Sequence, residues 1–412
     1  MRASKQLFDS KMKRPRDYSQ RKTSSLLEEG VFVYFRDPGI PFYLPIGRRV
    51  LEGIQEILLD EAQKLGISPV EIPAIMRDDV LKEGQEIVDT FNERIVKVDN
   101  ENLRGYHILT TPEPMILDLA SISLTSHNQL PIRFVYNVDI VRGVQRPKGM
   151  LKGRQFKTFM GNSLDENQQS LEESLRLFET LSDNIFRRMD IRVHKRRNQG
   201  EISIEHFYLA EEGDNLIMPE IDQEKRVKAL SLSMAYHYDP KKKVKARFRN
   251  RQNGNSRVLY GTFGLGTQRA FYALFDSHRD ERGFNLPPEL APFKYAIIPV
   301  TPRDIAGAET VYSHLGEKAI IDGRRNVLFG ERAAFSDYLG VPWKIISGNG
   351  EYTLRSRDGT CERKFNGIER LLNFLKKEES ISTDTRENII AINPLDDSFK
   401  PIIGARLIQK GN

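Results

Sequence analysis

Apolar positions along the chain repeat with two different periods, and the first of them predicts helices. Residues 46–66 carry apolar side chains about every 3.6 positions, and Gly66 stands where such a helix would end. A second helix is predicted from about Asp165 to Met189 on the same pattern. Between them, Val70 to Met76 is predicted to be a short strand. Pro73 within it indicates a sheet edge, because proline donates no ladder hydrogen bond.

The second period is a strict alternation of apolar and polar positions, which predicts an antiparallel hairpin. It runs from Ile132 to Arg142 and resumes from Arg154 to Met160, after a loop rich in Gly, Pro and Lys. A period of two is typical of strands with one buried face. Arg142, Arg154 and Phe156 are therefore expected at the mouth of one loop.

The last third of the chain alternates strands and helices and predicts a small α/β domain. Its expected strands lie at 295–300, 319–321 and 342–347, and its expected helices at 306–315, 331–339 and 368–376. Prolines up to Pro292 indicate a boundary before it. The predicted organisation is a first domain over 1–294, the α/β domain over 295–378, and a polar tail over 379–412.

Composition narrows the class of protein. The 412 residues are 39% hydrophobic and 29% charged, which is typical of soluble globular chains. No run of about eighteen apolar residues exists, so a transmembrane helix is excluded. The single cysteine, Cys361, excludes a disulfide framework and a thiolate zinc site. We expect a reducing compartment, most simply the cytoplasm.

Basic residues cluster although the net charge is only +6. Acid-free groups lie at 142–154 and 192–197, and eight of the seventeen residues from Lys241 to Arg257 are Lys or Arg. One such group alone is usually a solvated loop. Three groups between structured segments favour binding of nucleic acid or of nucleotide phosphates.

Few segments carry recognisable chemistry. Gly261 to Gly266 predicts a glycine-rich turn before a helix, where Arg269 could hold an anion, but no Walker loop follows. Glu113 follows Thr111 at a probable helix start, either as an ordinary helix-terminal carboxylate or as a group that binds a substrate amine. The histidines lack metal-site spacing, and no Ser/His/Asp or Cys/His arrangement is evident.

The order of these segments resembles the class II aminoacyl-tRNA synthetases, specifically the prolyl-tRNA synthetases. The resemblance begins at residue 1, which favours the absence of a cleaved presequence, and runs to about Lys377. Its motifs are Tyr43–Gly47, a first motif ending at Pro73, Leu130–Pro131, a second motif at 139–160, and Asp280–Gly283 through Ala291–Phe293 after a third motif.

The resemblance implies an α+β catalytic domain with a six-stranded antiparallel sheet flanked by helices, followed by an anticodon-binding-like α/β domain. It also implies a homodimer formed through the first motif around Pro73. The family activates its amino acid, here proline, with ATP and Mg²⁺ and attaches it to tRNA. No motif implies metal-ligating side chains.

Residue roles follow from the resemblance. Thr111 and Glu113 would receive the amino acid's ammonium group, with His206 near the substrate. Arg142 and Arg269 would be the catalytic cations, on the α- and γ-phosphates. The implied ATP site comprises Arg142, Arg154, Phe156 (stacked on adenine), Gln268 and Arg269. The implied nucleic-acid contacts are Lys148, Lys152, Lys241, Lys242, Lys243, Arg324 and Arg325.

Two departures keep alternative functions open. The second motif reads Val141-Arg142-Gly143-Val144, so its usual glutamate is absent, and the arginine matches only after a one-residue shift in the loop. The family's Ser-His-Glu-Phe reads Ile204-Glu205-His206-Phe207, and the large editing insertion is absent. The alternatives are a catalytically degraded, dimeric paralogue that binds nucleic acid or regulates, and an enzyme that adenylates another amino acid or uses another acceptor.

Overall fold

The computed structural model describes residues 1–3, 12–81, 94–197, 203–218, 226–238 and 246–377, together with the backbone of 402–403 and 406–407. The helices of this part of the chain are α1 (Thr23–Leu27), α2 (Pro45–Lys64), α3 (Asp78–Leu81), α4 (Glu113–Ser123), α5 (Gln168–Arg188), α6 (Thr267–Ser277), α7 (Ile305–Leu315), α8 (Phe329–Tyr338) and α9 (368–377).

Its strands number from β1 to β21 in chain order. They are β1 (Val33–Asp37), β2 (Ile40–Tyr43), β3 (Ser68–Pro69), β4 (Ile75–Arg77), β5 (Tyr106–Ile108), β6 (Ile132–Val141), β7 (Gln155–Asp165), β8 (His194–Arg197), β9 (Ser203–Leu209), β10 (Asn215–Met218), β11 (Val227–Tyr238), β12 (Arg247–Arg249), β13 (Asn255–Arg257), β14 (Leu259–Leu265), β15 (Tyr295–Pro299), β16 (Ala319–Ile321), β17 (Trp343–Gly348), β18 (Glu351–Ser356), β19 (Glu362–Asn366), β20 (Ile402–Ile403) and β21 (Arg406–Leu407).

The chain divides into two compact units. The first comprises Met1–Tyr34, Tyr43–Leu51 and Phe275–Lys400, and the second comprises Phe35–Phe42, Glu52–Leu274 and Pro401–Asn412. No helix of the described residues is long and apolar enough to cross a bilayer.

The second unit is built on one large sheet of order β20-β8-β9-β11-β14-β7-β6-β3. The six strands from β8 to β6 along this order are antiparallel to their neighbours, and the pairings at the two ends, β20 with β8 and β3 with β6, are parallel. Helix α5 packs on one face, where Phe178 stacks on Phe263 of β14 with ring centroids 5.4 Å apart. The predicted antiparallel sheet flanked by helices is confirmed.

Two local predictions in this unit are wrong. Val70 to Met76 is not one strand. β3 ends at Pro69, β4 begins at Ile75, and Pro73 belongs to neither strand. The predicted sheet edge is occupied by β3. Gly261 to Gly266 is no turn, because Gly261 to Leu265 belong to the central strand β14. A Cβ on Gly261 would come within 2.4 Å of Ser163 Oγ, so close packing beneath α5, and not turn geometry, requires this glycine.

The first unit contains a five-stranded sheet of order β16-β15-β17-β18-β19. Strand β15 is parallel to β16 and β17, and the remaining pairings are antiparallel. The predicted strands and helices of this region are confirmed to within one or two residues, whereas β18 and β19 were not predicted. The N-terminal amine donates to the carbonyl of Ala319 at 2.8 Å, so the start of the chain packs with this sheet. The domain limits at 294 and 378 stay predictions.

Candidate active site

A cavity of about 550 Å³ lies within the second unit. Its walls come from β6, β7, β11 and β14, the loop between β6 and β7, and the starts of α4 and α6. Residues expected from the sequence meet there: Thr111, Glu113, Arg142, Lys152, Phe156, Gln268 and Arg269. The antiparallel sheet thus brings together side chains separated by up to 158 positions.

Glu113 is the first residue of α4 and is 3% exposed. Its carboxylate accepts a hydrogen bond from Thr111 Oγ1. Burial raises the pKa of Glu113, while this hydrogen bond and the nearby Arg142 act in the opposite direction. A cation bound at Glu113 would favour its ionised form, so the carboxyl is suited to receive an ammonium group.

Arg142 lies directly after β6, at the loop mouth that the alternation predicted. Its backbone N–H donates to the carbonyl of Arg154 at 2.8 Å, which closes the hairpin. Burial lowers the pKa of Arg142 to about 10, and the charge of Arg94 adds to this effect, whereas Glu113 opposes it. Arg142 lines the cavity, whereas Val141 is not among its lining residues.

Phe156 is the partner of Ile140 in the register of β6 and β7 and lines the same cavity. The guanidinium carbon of Arg142 lies 5.2 Å from its ring centroid, within cation–π range. Val144 also lines the cavity. An apolar side chain therefore stands where the resemblance leads one to expect a glutamate.

Arg269 lies in the first turn of α6, and its guanidinium is held by three groups. It donates to the carbonyls of Leu151 at 3.2 Å and Ser231 at 3.0 Å, and to Asp214 Oδ2 at 3.2 Å. Its neighbour Gln268 donates through Nε2 to the carbonyl of Met150 at 2.7 Å. The loop before β7 and the start of α6 are thus tied together around one cation.

Tyrosines occupy the sheet near Glu113, and the sequence reasoning missed them. Tyr236 lines the cavity, opposite Thr262 in the register of β11 and β14. Burial raises the pKa of Tyr236, and the negative charge of Glu113 raises it further. The alternation along β11 could have placed Tyr236 on the face of Met234. Asp214, which also lines the cavity, had no comparable sequence signal.

Of the expected site residues that are described in the second unit, three lie outside the cavity lining. His206 contacts Asp183 of α5 and Ser233 of β11. Arg154 donates to the carbonyls of Val144 at 3.1 Å and Pro38 at 3.3 Å. Lys148 belongs to the loop, where its backbone N–H donates to the carbonyl of Lys152.

His206 belongs to a side-chain arrangement that the spacing of residues along the chain did not predict. Ser233, His206 and Asp183 do form a Ser/His/Asp arrangement, with heavy-atom distances of 3.0 and 3.1 Å. The three residues are separated by 23 and 27 positions, and only the packing of α5 on the sheet brings them together. Ser233 lines the cavity and also contacts Ser182 of α5, whereas His206 and Asp183 are not among the lining residues, so the arrangement extends from the sheet toward the helix.

The expected nucleic-acid residues are scattered. In the first unit, Arg324 forms a salt bridge with Asp322 at 2.6 Å, and Arg325 is exposed. Lys241, Lys242 and Lys243 lie outside the described residues. The described part of the basic segment forms the β12–β13 hairpin, with Arg247, Arg249 and Arg257 exposed.

Comparisons with known proteins agree with the predicted resemblance. No family model matches the chain. The proline–tRNA ligase of Ehrlichia ruminantium (strain Gardel) is 26% identical over 399 residues, covering 84% of this chain and 92% of the relative. That of Rhodopseudomonas palustris (strain BisB5) is 23% identical over 395 residues, covering 79% and 89%.

Solved structures show the same fold. A Giardia lamblia prolyl-tRNA synthetase in complex with prolyl-adenylate superposes with a TM-score of 0.68 at 19% identity, covering 86% of this chain and 76% of that one. A Cryptosporidium parvum prolyl-tRNA synthetase with halofuginone and AMPPNP gives 0.67 at 17%, covering 89% and 80%. The fold of this chain is therefore that of the class II prolyl-tRNA synthetases.

Proposed function

We propose that this class II, prolyl-tRNA synthetase-like chain activates proline with ATP and attaches it to tRNA. The observation that carries the proposal is the cavity, which brings a buried carboxyl, Glu113, together with two arginines, Arg142 and Arg269. An amino acid and a polyphosphate require these opposite charges side by side. The curated relatives are proline–tRNA ligases, and one superposed structure holds prolyl-adenylate.

In the first step, the carboxylate oxygen of proline attacks the α-phosphorus of ATP, a P–O bond forms, and pyrophosphate leaves. Glu113, oriented by Thr111, holds the amino acid's ammonium group. Arg142 stabilises the charge that develops on the α-phosphate, and Arg269 holds the γ-phosphate of the leaving group. Such a displacement requires opposed cations and accurate placement and little acid–base chemistry.

The nucleotide base would use Phe156. The guanidinium of Arg142 lies over this ring, and adenine would stack on its accessible part. Gln268 and Arg154 would position the loop between β6 and β7 around the nucleotide. Gln268 donates a hydrogen bond to the carbonyl of Met150, and Arg154 donates one to the carbonyl of Val144.

In the second step, a hydroxyl at the 3′ end of tRNA attacks the carbonyl carbon of the adenylate, an ester forms, and AMP leaves. The loop from Gly143 to Lys152 would lie against the acceptor end, with Lys148 and Lys152 close to its phosphates. Lys241, Lys242, Lys243, Arg324 and Arg325 remain proposed RNA contacts. The homodimer through the first motif around Pro73 and the cytoplasmic location are also proposals.

Mg²⁺ would enter as part of the substrate, with the ATP phosphates. Within the described ranges, no three His, Cys, Asp or Glu side chains are grouped to hold a metal ion.

A second candidate function is favoured by Val144 and His206. An apolar side chain stands in the place expected for the second-motif glutamate, and His206 faces α5. Both differences affect groups near the reacting molecules. An adenylating enzyme for another amino acid or acceptor, or a degraded paralogue, would carry such changes.

ATP–pyrophosphate exchange with the full chain, Mg²⁺ and each of the twenty amino acids tests the proposal. Exchange with proline alone supports it, and charging of tRNA then follows as a separate assay. Exchange with another amino acid redirects the substrate. No exchange from folded protein, with or without added tRNA, contradicts adenylation and favours the degraded paralogue.

A further inference from the structure

Strand β11 contains a bulge that separates two serines. In its pairing with β9, Ser231 lies opposite Phe207 and Ser233 lies opposite His206, so Leu232 is one residue more than the partner strand supplies. Residues two apart normally face the same side of a strand, and one inserted residue turns them to opposite faces. The side-chain contacts agree, since Ser231 Oγ donates to Glu205 and Ser233 Oγ contacts Ser182 of α5, while both residues contribute to the cavity lining.

Behind the sheet, Ser233 ends a chain of buried polar contacts. Its Oγ lies 3.0 Å from His206 Nδ1, and His206 Nε2 lies 3.1 Å from Asp183 Oδ1. His206 is 1% exposed. Asp183 also accepts a hydrogen bond from Lys195, so its carboxylate is fixed from two sides. Although burial alone would raise the pKa of Asp183, its partners lower it below the usual value, which keeps the carboxylate ionised.

In front of the sheet, the same bulge holds the start of α6. The carbonyl of Ser231 accepts a hydrogen bond from Arg269 Nη1 at 3.0 Å. The carbonyl of Leu232 accepts one from the backbone N–H of Gly266 at 2.8 Å, directly before the helix. Both acceptors are backbone groups, so their positions depend on the shape of the bulge.

We propose that Ser233 and His206 are positioning residues for Arg269, which they influence through the bulge of β11. Asp183 fixes His206, His206 fixes Ser233, and the bulge then presents the carbonyls of Ser231 and Leu232 to Arg269 and to the start of α6. This inference rests on the proposed function, because it assigns Arg269 to the ATP phosphates. It predicts that a buried change behind the sheet alters ATP binding and leaves amino-acid binding alone.

The test compares Ser233→Ala with Ser233→Thr, which keeps the hydroxyl. Kd for ATP is measured by isothermal titration calorimetry on the full chain, and KM for ATP and for proline by pyrophosphate exchange. Loss of one buried hydrogen bond should weaken ATP binding about three- to tenfold in Ser233→Ala. The KM for proline should stay unchanged, and Ser233→Thr should restore ATP binding. His206→Phe, which keeps a ring but loses both contacts, should resemble Ser233→Ala.

Coupling to Arg269 is measured with a double mutant. If Ser233 acts through Arg269, adding Ser233→Ala to Arg269→Gln should cause no further loss of ATP affinity. Additive losses would overturn the proposal, and so would equal changes in the KM for ATP and for proline. His194→Gln is the matched control, because His194 is a buried histidine that lies on β8 opposite Phe207 and not on a strand next to β11. It should leave ATP affinity unchanged, and a loss equal to that of His206→Phe would overturn the proposal.

Circular dichroism of each variant verifies folding, and Ser233→Thr keeps the proposal falsifiable where Ser233→Ala unfolds. If the wild-type chain binds ATP but catalyses no ATP–pyrophosphate exchange, the proposed function fails. The comparison of ATP affinities among the variants still decides the role of Ser233. If the wild-type chain does not bind ATP, both proposals fail.

Discussion

Both faces of the antiparallel sheet carry buried or half-buried cationic side chains, but the partners of these cations differ between the α5 face and the cavity face. Toward α5, Lys195 is 5% exposed and donates to Glu179 at 3.0 Å and to Asp183. In the cavity, Arg142 donates to a backbone carbonyl, and Arg269 is held mainly by two carbonyls. Buried charges that neutralise one another hold the helix on the sheet. Arg142 and Arg269 both line the cavity, where a ligand can reach them.

The largest expected effect is on the α5 face. Lys195→Met removes the buried cation that Glu179 and Asp183 share, and of the two, Glu179 keeps a second cationic partner, Arg197. Removing one partner of such a group should lower the free energy of unfolding by about 3–5 kcal/mol. Urea denaturation followed by circular dichroism measures this. Arg176→Met, which removes an exposed cation paired with Glu172 on the same helix, is the control, and an equal loss there would contradict the distinction between the faces.

The next effect is on the cavity face and concerns activity. Arg269→Gln removes the cation assigned to the γ-phosphate, and loss of such a transition-state contact should lower the rate of pyrophosphate exchange about 10²–10³-fold. The unfolding free energy should change little, because the lost partners are two carbonyls and the half-exposed Asp214. An exchange rate within a factor of two of the wild type would exclude Arg269 from the reaction.

Glu113→Gln should act on the amino acid alone. It removes a charge-assisted hydrogen bond worth about 1.5–3 kcal/mol, so the KM for proline should rise roughly ten- to a hundredfold. The wild-type chain should lose affinity for proline as the pH falls, at a higher pH than for an ordinary carboxyl, because burial raises the pKa of Glu113. The glutamine variant should lack this acid limb, and a pH profile identical in both proteins would argue against Glu113 as the ammonium site.

The smallest effect is expected on the β12–β13 hairpin. Arg247 and Arg257 lie directly opposite each other in register and are exposed, and like charges so placed repel unless an anion lies between them. If RNA phosphates contact them, changing Arg247, Arg249 and Arg257 to Gln should weaken tRNA binding several-fold and reduce its dependence on salt. Binding titrations at several salt concentrations measure this. Arg251→Gln, where Glu166 already pairs with the arginine, is the control, and an unchanged salt slope in the triple variant would indicate a solvated hairpin.

Sequence periodicity predicted the parts of the fold that local patterns control. The β6–β7 hairpin, α2, α5 and the alternating strands and helices after Tyr295 were found where their patterns placed them. The failures have local causes as well. The glycine-rich composition around Gly261 is typical of a turn. Position 261 requires glycine for a different reason, because Ser163 and α5 pack against it. Pro73 was assigned to a strand, yet the chain pairs only on either side of it.

The sequence by itself determined the family resemblance and the residue types of the site, because Glu113, Arg142 and Arg269 each lie at a recognisable helix start or strand end. Only the tertiary structure decided which charges are available to a ligand. Arg154 and Arg324 are as cationic as Arg142 in sequence, but Arg154 does not line the cavity and Arg324 is bound to Asp322. The bulge of β11 likewise turns Ser233 toward His206 and Ser231 to the other face, since one inserted residue decides which face of a sheet a side chain occupies.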